Sequence, residues 1–315
     1  MPRPTLLACL AFLSLASCGR FRGPRTSFDG KAALAMAQAQ VDFGPRVPGT
    51  EGARKAGDWI VAQLRQLGDS VEEQRFVHVT PNGDSVPMRN IIAHIHPEMT
   101  SRVLFVTHWD TRPTADSDPN LGNRTKPIIG ANDGASGVGM LIQVAAALKK
   151  TPPNVGVDLL FVDGEDYGSF DNYSDTTANP NVLIGSTYFA RHMPATYKPL
   201  YGVLWDMIGD KDLDIPQEGN SVQYAPEVVT RVWQVASDLG YSKYFLNQVG
   251  QPIIDDHVPF LKAGLHVIDC LDLDYGPHDA LHRDGYHHTL EDTMDKISAQ
   301  SLQVAGDVAV ALVTR

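Results

Sequence analysis

Two adjacent carboxylates, Glu165 and Asp166, follow an apolar run in the stretch LLFVDGEDYG. The run is typical of a buried strand, so both acids are expected at its carboxyl end. Asp163 follows the same run, and acids and histidines follow other apolar runs or lie near the last of them: His108, Asp110, Asp206, Asp255, Asp256, His257, His287 and His288, while Asp133 opens a helix. Carboxylates gathered in such numbers repel one another unless a positive group lies among them. A mixture of His, Asp and Glu without Cys favours zinc in a catalytic site with an open coordination position.

Taken singly, these motifs have simpler explanations. A His-x-Asp pair such as His108 and Asp110 is more often structural or on the surface, and Asp133 could be a helix N-cap. The glycine-rich loop around Asp133 lacks the Gly-Lys-Ser/Thr of a phosphate-binding loop and the Gly-x-Ser-x-Gly of a serine hydrolase. A solvated turn could hold the C-terminal histidines His278, His282, His287 and His288. The order of the motifs at successive strand ends is what predicts a metal site.

The elements that would hold these residues alternate between strands and helices. Apolar runs typical of strands begin at Asn90, Arg102, Val157, Tyr201 and Leu265. Helical spacing is found in residues 30–43, 51–67, 136–149, 186–192, 226–239 and 298–313. This alternation predicts a single α/β domain with a mostly parallel central sheet and helices on both faces. In such sheets ligands bind at the carboxyl ends of the strands, where the acids and histidines are expected.

The bulk composition is that of a globular protein, and it excludes some partners. Of the 315 residues, 43% are hydrophobic and 20% are charged, which is enough to bury one large core. The net charge of -11 disfavours nucleic acid as a partner. Cys9 and Cys18 lie near the amino terminus, so Cys270 is the one thiol of the remaining chain and an intramolecular disulfide is excluded there. The strand-like run around Cys270 predicts a buried structural thiol.

The amino-terminal segment predicts export. Residues 1–17 combine Arg3, an apolar core and small residues, as in a secretory signal peptide, and the core is too short to span a membrane. The stretch LASC ending at Cys18 resembles the lipobox of bacterial lipoproteins. We therefore expect an exported lipoprotein facing the periplasm or cell exterior, attached to the membrane only through a lipid on Cys18. Residues 18–29 would be a linker and residues 30–315 the catalytic domain. An ordinary signal peptide that happens to contain a Cys is the alternative.

The motifs THWDTRP, GANDGASGVG, DGEDYG, DMIG, DDHVPF and HHTLEDT occur in this order. From about Val41 to the C-terminus, the chain resembles the bacterial glutaminyl cyclases of the zinc-dependent aminopeptidase-like superfamily. The resemblance implies one zinc ion bound by Asp133, Asp166 and His288. It also implies that Glu165 is the general base and acid. Asp206 and Asp256 would form a hydrogen-bonded acid pair, where the choice of Asp256 over Asp255 rests on the DDH motif alone.

The implied activity is a glutaminyl-peptide cyclotransferase, whose substrate is the amino terminus of a peptide or protein. Zinc would polarise the side-chain carbonyl of an N-terminal glutamine, and Glu165 would shuttle a proton as pyroglutamate forms and ammonia leaves.

Two alternatives remain open from the residues. In a two-zinc aminopeptidase, His108, Asp133 and Asp206 would bind one metal and Asp133, Asp166 and His288 the other, while Glu165 activates water. The DDH motif favours the cyclase, whereas His287 stands where cyclases usually carry Trp, and the segment after GEDYG lacks the Trp expected to line the pocket. A non-catalytic binding lipoprotein is the other alternative, although it would not need Glu165 beside intact ligands.

Overall fold

The computed structural model describes residues 26–170, 181–277 and 285–315. The predicted signal peptide, Cys18 and most of the predicted linker lie outside the described residues, as do His278 and His282. The last residues of the predicted linker are described, and Phe28 among them is buried. Within the described ranges, no helix is both long enough and apolar enough to cross a membrane.

A six-stranded sheet forms the centre of the domain. Its strands, in spatial order, are β1 (Ser70–Val79), β2 (Ser85–Ile95), β4 (Gly156–Val162), β3 (Arg102–His108), β5 (Tyr201–Asp206) and β8 (Val267–Leu271). The neighbours β4, β3, β5 and β8 pair in parallel, while β2 is antiparallel to both β1 and β4. A separate two-stranded sheet joins β6 (Ile215–Gln217) and β7 (Phe245–Val249).

Helices cover both faces of this sheet, which confirms the predicted α/β fold class. They are α1 (Gly30–Val41), α2 (Glu51–Leu67), α3 (Ala135–Lys150), α4 (Ile184–His192), α5 (Gly219–Tyr224), α6 (Pro226–Asp238), α7 (His257–Lys262) and α8 (Ala299–Thr314). Helices α2, α3 and α6 pack on one face, with α1 and α8 against α3, while α4 and α7 pack on the other.

The hydrophobic core has two parts, one on each face of the sheet, because successive side chains of a strand point to opposite faces. Phe105 of β3 faces the larger core under α3, whereas its neighbours Leu104 and Val106 face Phe189 of α4 and Phe260 of α7. Side chains of a strand alternate between the two faces, and a strand covered on both faces is apolar at every position. This explains the continuous apolar runs of the sequence.

The parallel strands share one direction, so their carboxyl ends lie at one edge of the sheet. Strand β3 ends at His108, β4 ends at Val162 just before the DGED turn, and β5 ends at Asp206. Helix α3 begins at Ala135, two residues after Asp133. The topology therefore brings the predicted site residues together.

Candidate metal centre and catalytic site

The turn after β4 is held through its backbone. The two carboxylate oxygens of Asp110 accept hydrogen bonds from the backbone N–H groups of Glu165 and Asp166, at 3.1 and 3.2 Å. Gly164, with φ +73°, makes the sharp change of direction that precedes them. Because both bonds go to backbone groups, they orient Glu165 and Asp166 without occupying either carboxylate.

A second aspartate holds the turn before α3 in the same way. Asp292 accepts hydrogen bonds from the N–H groups of Asn132 and Asp133, at 2.8 and 3.1 Å. The buried guanidinium of Arg46 donates to the carbonyl of Gly130, at 2.7 Å, and to that of Ile129. The position of Asp133 is thus set by a buried aspartate and a buried arginine from distant parts of the chain.

Asp133 lies between two groups of potential metal ligands. The Nε2 atom of His108 is 3.0 Å from Oδ1 of Asp133 and 3.1 Å from Oδ1 of Asp206. One ligand atom from each of these three buried residues lies within 4.8 Å of the others. Burial would lower the pKa of His108, but the charge of Asp206 and contacts with Asp110 and Asp133 raise it well above its ordinary value. A cluster that attracts a proton this strongly attracts a divalent cation for the same reason.

The second group is Asp133, His287 and His288, which again place one ligand atom each within 4.8 Å of the others, and the predicted ligand Asp166 contacts His288. The Nε2 atom of His288 is 3.1 Å from Oδ1 of Asp166 and 3.6 Å from Oδ2 of Asp133. The Oδ2 atoms of both aspartates are buried without a hydrogen-bond partner. Buried carboxylate oxygens are costly when unpaired. Two such oxygens beside an imidazole fit a zinc ion in both number and chemistry.

Glu165 is buried at the same cavity. Burial, followed by the charge of Asp166, raises the pKa of Glu165 well above its ordinary value. Its Oε2 atom lies 3.9 Å from Nδ1 of His108. A carboxyl group with a raised pKa is a better proton acceptor than an ordinary carboxylate and can also return the proton, as a general base and acid must.

The cavity has a volume of about 330 Å³, and both polar and apolar side chains line it. The polar or charged lining residues include Arg112, Asp116, Asp133, Glu165, Asp166, Asp206, Asp255, His287 and His288. The apolar lining residues include Phe170, Met207, Ile253, Ile254, Leu271 and Leu273.

Asp255, unlike Asp256, lines the same cavity as Asp206. Asp255 lines the cavity, and burial together with the charge of Asp206 raises its pKa to about 7. Asp256 instead accepts a hydrogen bond from Ser186 through Oδ1, and its Oδ2 atom has no hydrogen-bond partner. The predicted pairing of Asp206 with Asp256 therefore stays a prediction, while Asp255 is the member of the DDH motif that lines the cavity with Asp206. The two aspartates precede α7, and the turn there directs only the first of them at the cavity.

Three residues of the site had no predicted role. Asp110 and Asp292 orient the turns that carry the predicted ligands, and Arg112 forms an ion pair with Asp166, with 2.9 Å between Nη1 and Oδ1. All three stand inside the motifs THWDTRP and HHTLEDT, which is the one signal in the sequence that could have identified them.

Comparison with known proteins agrees with this geometry. The model of peptidase family M28 matches residues 90–313. The crystal structure of Porphyromonas gingivalis glutaminyl cyclase superposes with a TM-score of 0.83 at 39% identity, covering 91% of this chain and 98% of that one. A Zn-dependent exopeptidase from Parabacteroides distasonis gives a TM-score of 0.84 at 35% identity, with 91% and 99% covered.

A curated relative, the aminopeptidase YwaD of Bacillus subtilis, is 24% identical over 285 residues. The match covers 85% of this chain and about half of YwaD, at 53% of its length. The resemblance inferred from the motifs is thus confirmed, with glutaminyl cyclases and zinc exopeptidases both among the structural neighbours. Since the family model covers more than two thirds of its length, the chain belongs to peptidase family M28.

Proposed function

We propose that this protein is a zinc-dependent glutaminyl-peptide cyclotransferase, which converts an N-terminal glutamine into pyroglutamate and releases ammonia. The observation that carries the proposal is the buried Glu165, whose pKa is raised, next to a cluster of ligand-type residues at a cavity. Similarity to a solved bacterial glutaminyl cyclase over nine-tenths of the chain supports it.

The cavity suits the first residue of a peptide. A volume of about 330 Å³ lies at the lower end of the range for small-molecule pockets, which is enough for the first residue of a peptide. Its apolar side chains can pack on the methylene groups of a glutamine side chain, while its acidic side chains attract the α-amino group. The rest of the peptide would extend out of the cavity.

Glu165 carries out the proton transfers of the proposed reaction. Zinc bound by Asp133, Asp166 and His288 would supply Lewis-acid polarisation of the side-chain carbonyl of the substrate. Glu165 takes a proton from the α-amino group as its nitrogen forms a bond to the side-chain carbonyl carbon. The bond from that carbon to the amide nitrogen then breaks, and Glu165 returns the proton so that ammonia leaves.

Asp206 and Asp255 are proposed as the acid pair of the site, in the place of the pair predicted with Asp256. Burial and the charge of Asp206 raise the pKa of Asp255 to about 7, so Asp255 can hold a proton at neutral pH. A protonated member can donate a hydrogen bond to the developing negative charge, while the ionised member accepts one from the α-amino group.

A two-zinc aminopeptidase is the second candidate, and one observation favours it. His108, Asp133 and Asp206 lie within 4.8 Å of one another, so a second metal could bind beside the first with Asp133 shared. In that enzyme Glu165 would remove a proton from water. Similarity to the aminopeptidase YwaD supports this alternative.

One experiment separates the two reactions. The zinc-loaded protein is incubated with two peptides that differ only in their first residue, Gln or Leu, and the products are identified by mass spectrometry. Loss of ammonia from the Gln peptide with the Leu peptide unchanged is the expected result. Release of free Leu would identify an aminopeptidase and would contradict the proposal.

We also propose export and lipid attachment at Cys18, on the basis of the sequence of residues 1–18. Expression of the full chain in a bacterium fed a radiolabelled fatty acid tests this. We expect label on the protein and none on the Cys18→Ser variant. An unlabelled protein that is released into the periplasm would contradict lipid attachment.

A further inference from the structure

His287 and His288 place their imidazole rings side by side. Their ring centroids are 3.6 Å apart, with 33° between the ring planes. Consecutive residues of an extended chain point in opposite directions. His288, however, has φ +54°, in the left-handed region that residues other than glycine seldom adopt. Strained backbone of this kind concentrates at functional sites. Here the turn brings both imidazoles to the cavity that they line.

His287 is also within reach of a predicted metal ligand. One ligand atom from each of Asp133, His287 and His288 lies within 4.8 Å of the other two. Ligands of a tetrahedral zinc ion are about 3.4 Å apart, so modest ring rotations would bring all three into binding distance. Within the described ranges, the ring nitrogens of His287 have no hydrogen-bond or ion-pair partner that would oppose such a rotation.

Asp166 should bind a metal more weakly than an unpaired carboxylate would, because part of its negative charge is neutralised by other side chains. Its Oδ1 atom lies 2.9 Å from Nη1 of Arg112 and 3.1 Å from Nε2 of His288. Only Oδ2 is left without a partner. A zinc ion held by Asp133, Asp166 and His288 would share one of its carboxylates with a guanidinium, and a further nitrogen donor would make up for that loss.

We propose that His287 is an additional zinc ligand of this chain, binding the same ion as Asp133 and His288. The inference rests on the zinc centre of the proposed function, but it does not depend on which reaction that centre catalyses. Catalytic zinc sites commonly have three protein ligands and one open position. His287 would occupy that position, and the substrate carbonyl would replace it or add as a fifth ligand.

Zinc affinity tests this directly. The dissociation constant is measured by competition with a chromophoric chelator for the wild type and for His287→Phe, which keeps an aromatic ring and removes both nitrogens. His266→Phe is the matched control, because His266 is exposed, contacts Glu227 and precedes β8 at the opposite edge of the sheet.

We expect the zinc dissociation constant of His287→Phe to rise at least about tenfold, since even the loss of an outer-shell partner costs ten- to a hundredfold. His266→Phe should bind zinc like the wild type. Equal affinities of His287→Phe and the wild type would overturn the inference. A wild type without zinc affinity would instead overturn the zinc centre itself.

A crystal structure of the zinc-loaded wild type gives an answer that does not depend on the folding of a variant. We expect a distance of about 2.0–2.1 Å between zinc and a ring nitrogen of His287. A zinc ion bound by Asp133 and His288 with the His287 ring outside binding distance would overturn the inference and leave the proposed function intact.

Discussion

The Nη1 atom of Arg112 lies 2.9 Å from the Oδ1 atom of Asp166, and both side chains are buried. Burial would raise the pKa of Asp166, but the charges of His288 and Arg112 hold it well below its ordinary value. A predicted metal ligand is therefore kept ionised by the protein itself. The position of Arg112 is fixed by a bidentate ion pair with Asp116 and by a hydrogen bond that Arg112 donates to the carbonyl of Gly168, at 2.7 Å.

Removal of this guanidinium should destabilise the fold. Loss of one partner of a buried ion pair typically costs about 3–5 kcal/mol, because the other charge stays buried and unpaired. We expect Arg112→Met to lower the free energy of unfolding by that amount in a denaturant titration without zinc. Zinc should restore part of the loss, since a cation beside Asp166 replaces the missing charge.

The control for this titration is Arg231→Met. Arg231 lies on the exposed side of α6, over the ring of Tyr201. We expect a change of less than about 1 kcal/mol there. Equal losses in both variants, or no effect of zinc on Arg112→Met, would contradict the role given to Arg112.

Glu165→Gln should separate catalysis from metal binding. The substitution keeps the shape of the side chain and removes its ability to accept a proton. We expect an unchanged zinc content, measured by elemental analysis, and a fall in kcat of about 10²- to 10⁴-fold. A variant that turned over substrate at the rate of the wild type would exclude Glu165 as the general base.

His288→Ala should weaken zinc binding by more than the ten- to hundredfold typical of an outer-shell change, because a direct ligand is lost. The zinc content after dialysis against a weak chelator is the measurement. Circular dichroism of the variant checks that it is folded. A variant that retained zinc like the wild type would show that His288 is not a ligand.

Asp255→Asn and Asp256→Asn should behave differently. Asp255 lines the same cavity as Asp206, so its variant should lower kcat by about tenfold or more with little change in thermal stability. Asp256 accepts a hydrogen bond from Ser186, so its variant should lower stability by about 1 kcal/mol and affect kcat less. The reverse pattern would restore Asp256 as the partner of Asp206.

The ionisation of Glu218 should make the free energy of unfolding depend on pH. Its Oε1 atom accepts backbone hydrogen bonds from Asn220 and Ile253, both at 2.7 Å, and its Oε2 atom lies 3.2 Å from Nε2 of His257. Burial would raise the pKa of Glu218, but the hydrogen bond and charge of His257, with further hydrogen bonds, lower it to about 2. Because the pKa is lower in the folded state, this stability is present above the ordinary value near 4.5. It is lost as pH falls from there to about 2.

The measurement compares the free energy of unfolding of the wild type and Glu218→Gln at pH 6 and pH 3. We expect the advantage of the wild type, of the order of 3 kcal/mol at pH 6, to shrink at pH 3. An advantage that did not change with pH would mean that Glu218 stabilises the fold through shape and neutral hydrogen bonds alone.

The buried elements of the fold were predictable from the sequence. Helix α2 has the predicted bounds because Ala56, Ile60 and Leu64 repeat along one buried side. Strand β1, in contrast, was not predicted. It lies at the edge of the sheet, where each of its residues is at least partly exposed, so it lacks the apolar run that marks β3 or β4. The short helices α5 and α7 have too few turns to show a helical repeat.

The sequence predicted the positions of those site residues that stand at the ends of strands. His108 and Asp206 are the last residues of their strands, so their proximity follows from the parallel topology. The contacts of Asp110 and Asp292 with backbone N–H groups join residues 55 or more positions apart, and such pairs depend on the path of each turn. The choice between Asp255 and Asp256 depends on the same local detail.

The hydrogen bonds of Asp110 and Asp292 to backbone N–H groups would allow the substrate specificity of this fold to change during evolution. Asp110 and Asp292 fix the turns that carry the predicted ligands through peptide groups, which every amino acid possesses. Cavity side chains such as Phe170, Ile254 and Leu273 take no part in those bonds. Mutations that reshape the pocket can therefore accumulate while the turns that carry the predicted metal ligands stay in place. One inherited scaffold could in this way acquire new substrate preferences through changes in the lining alone.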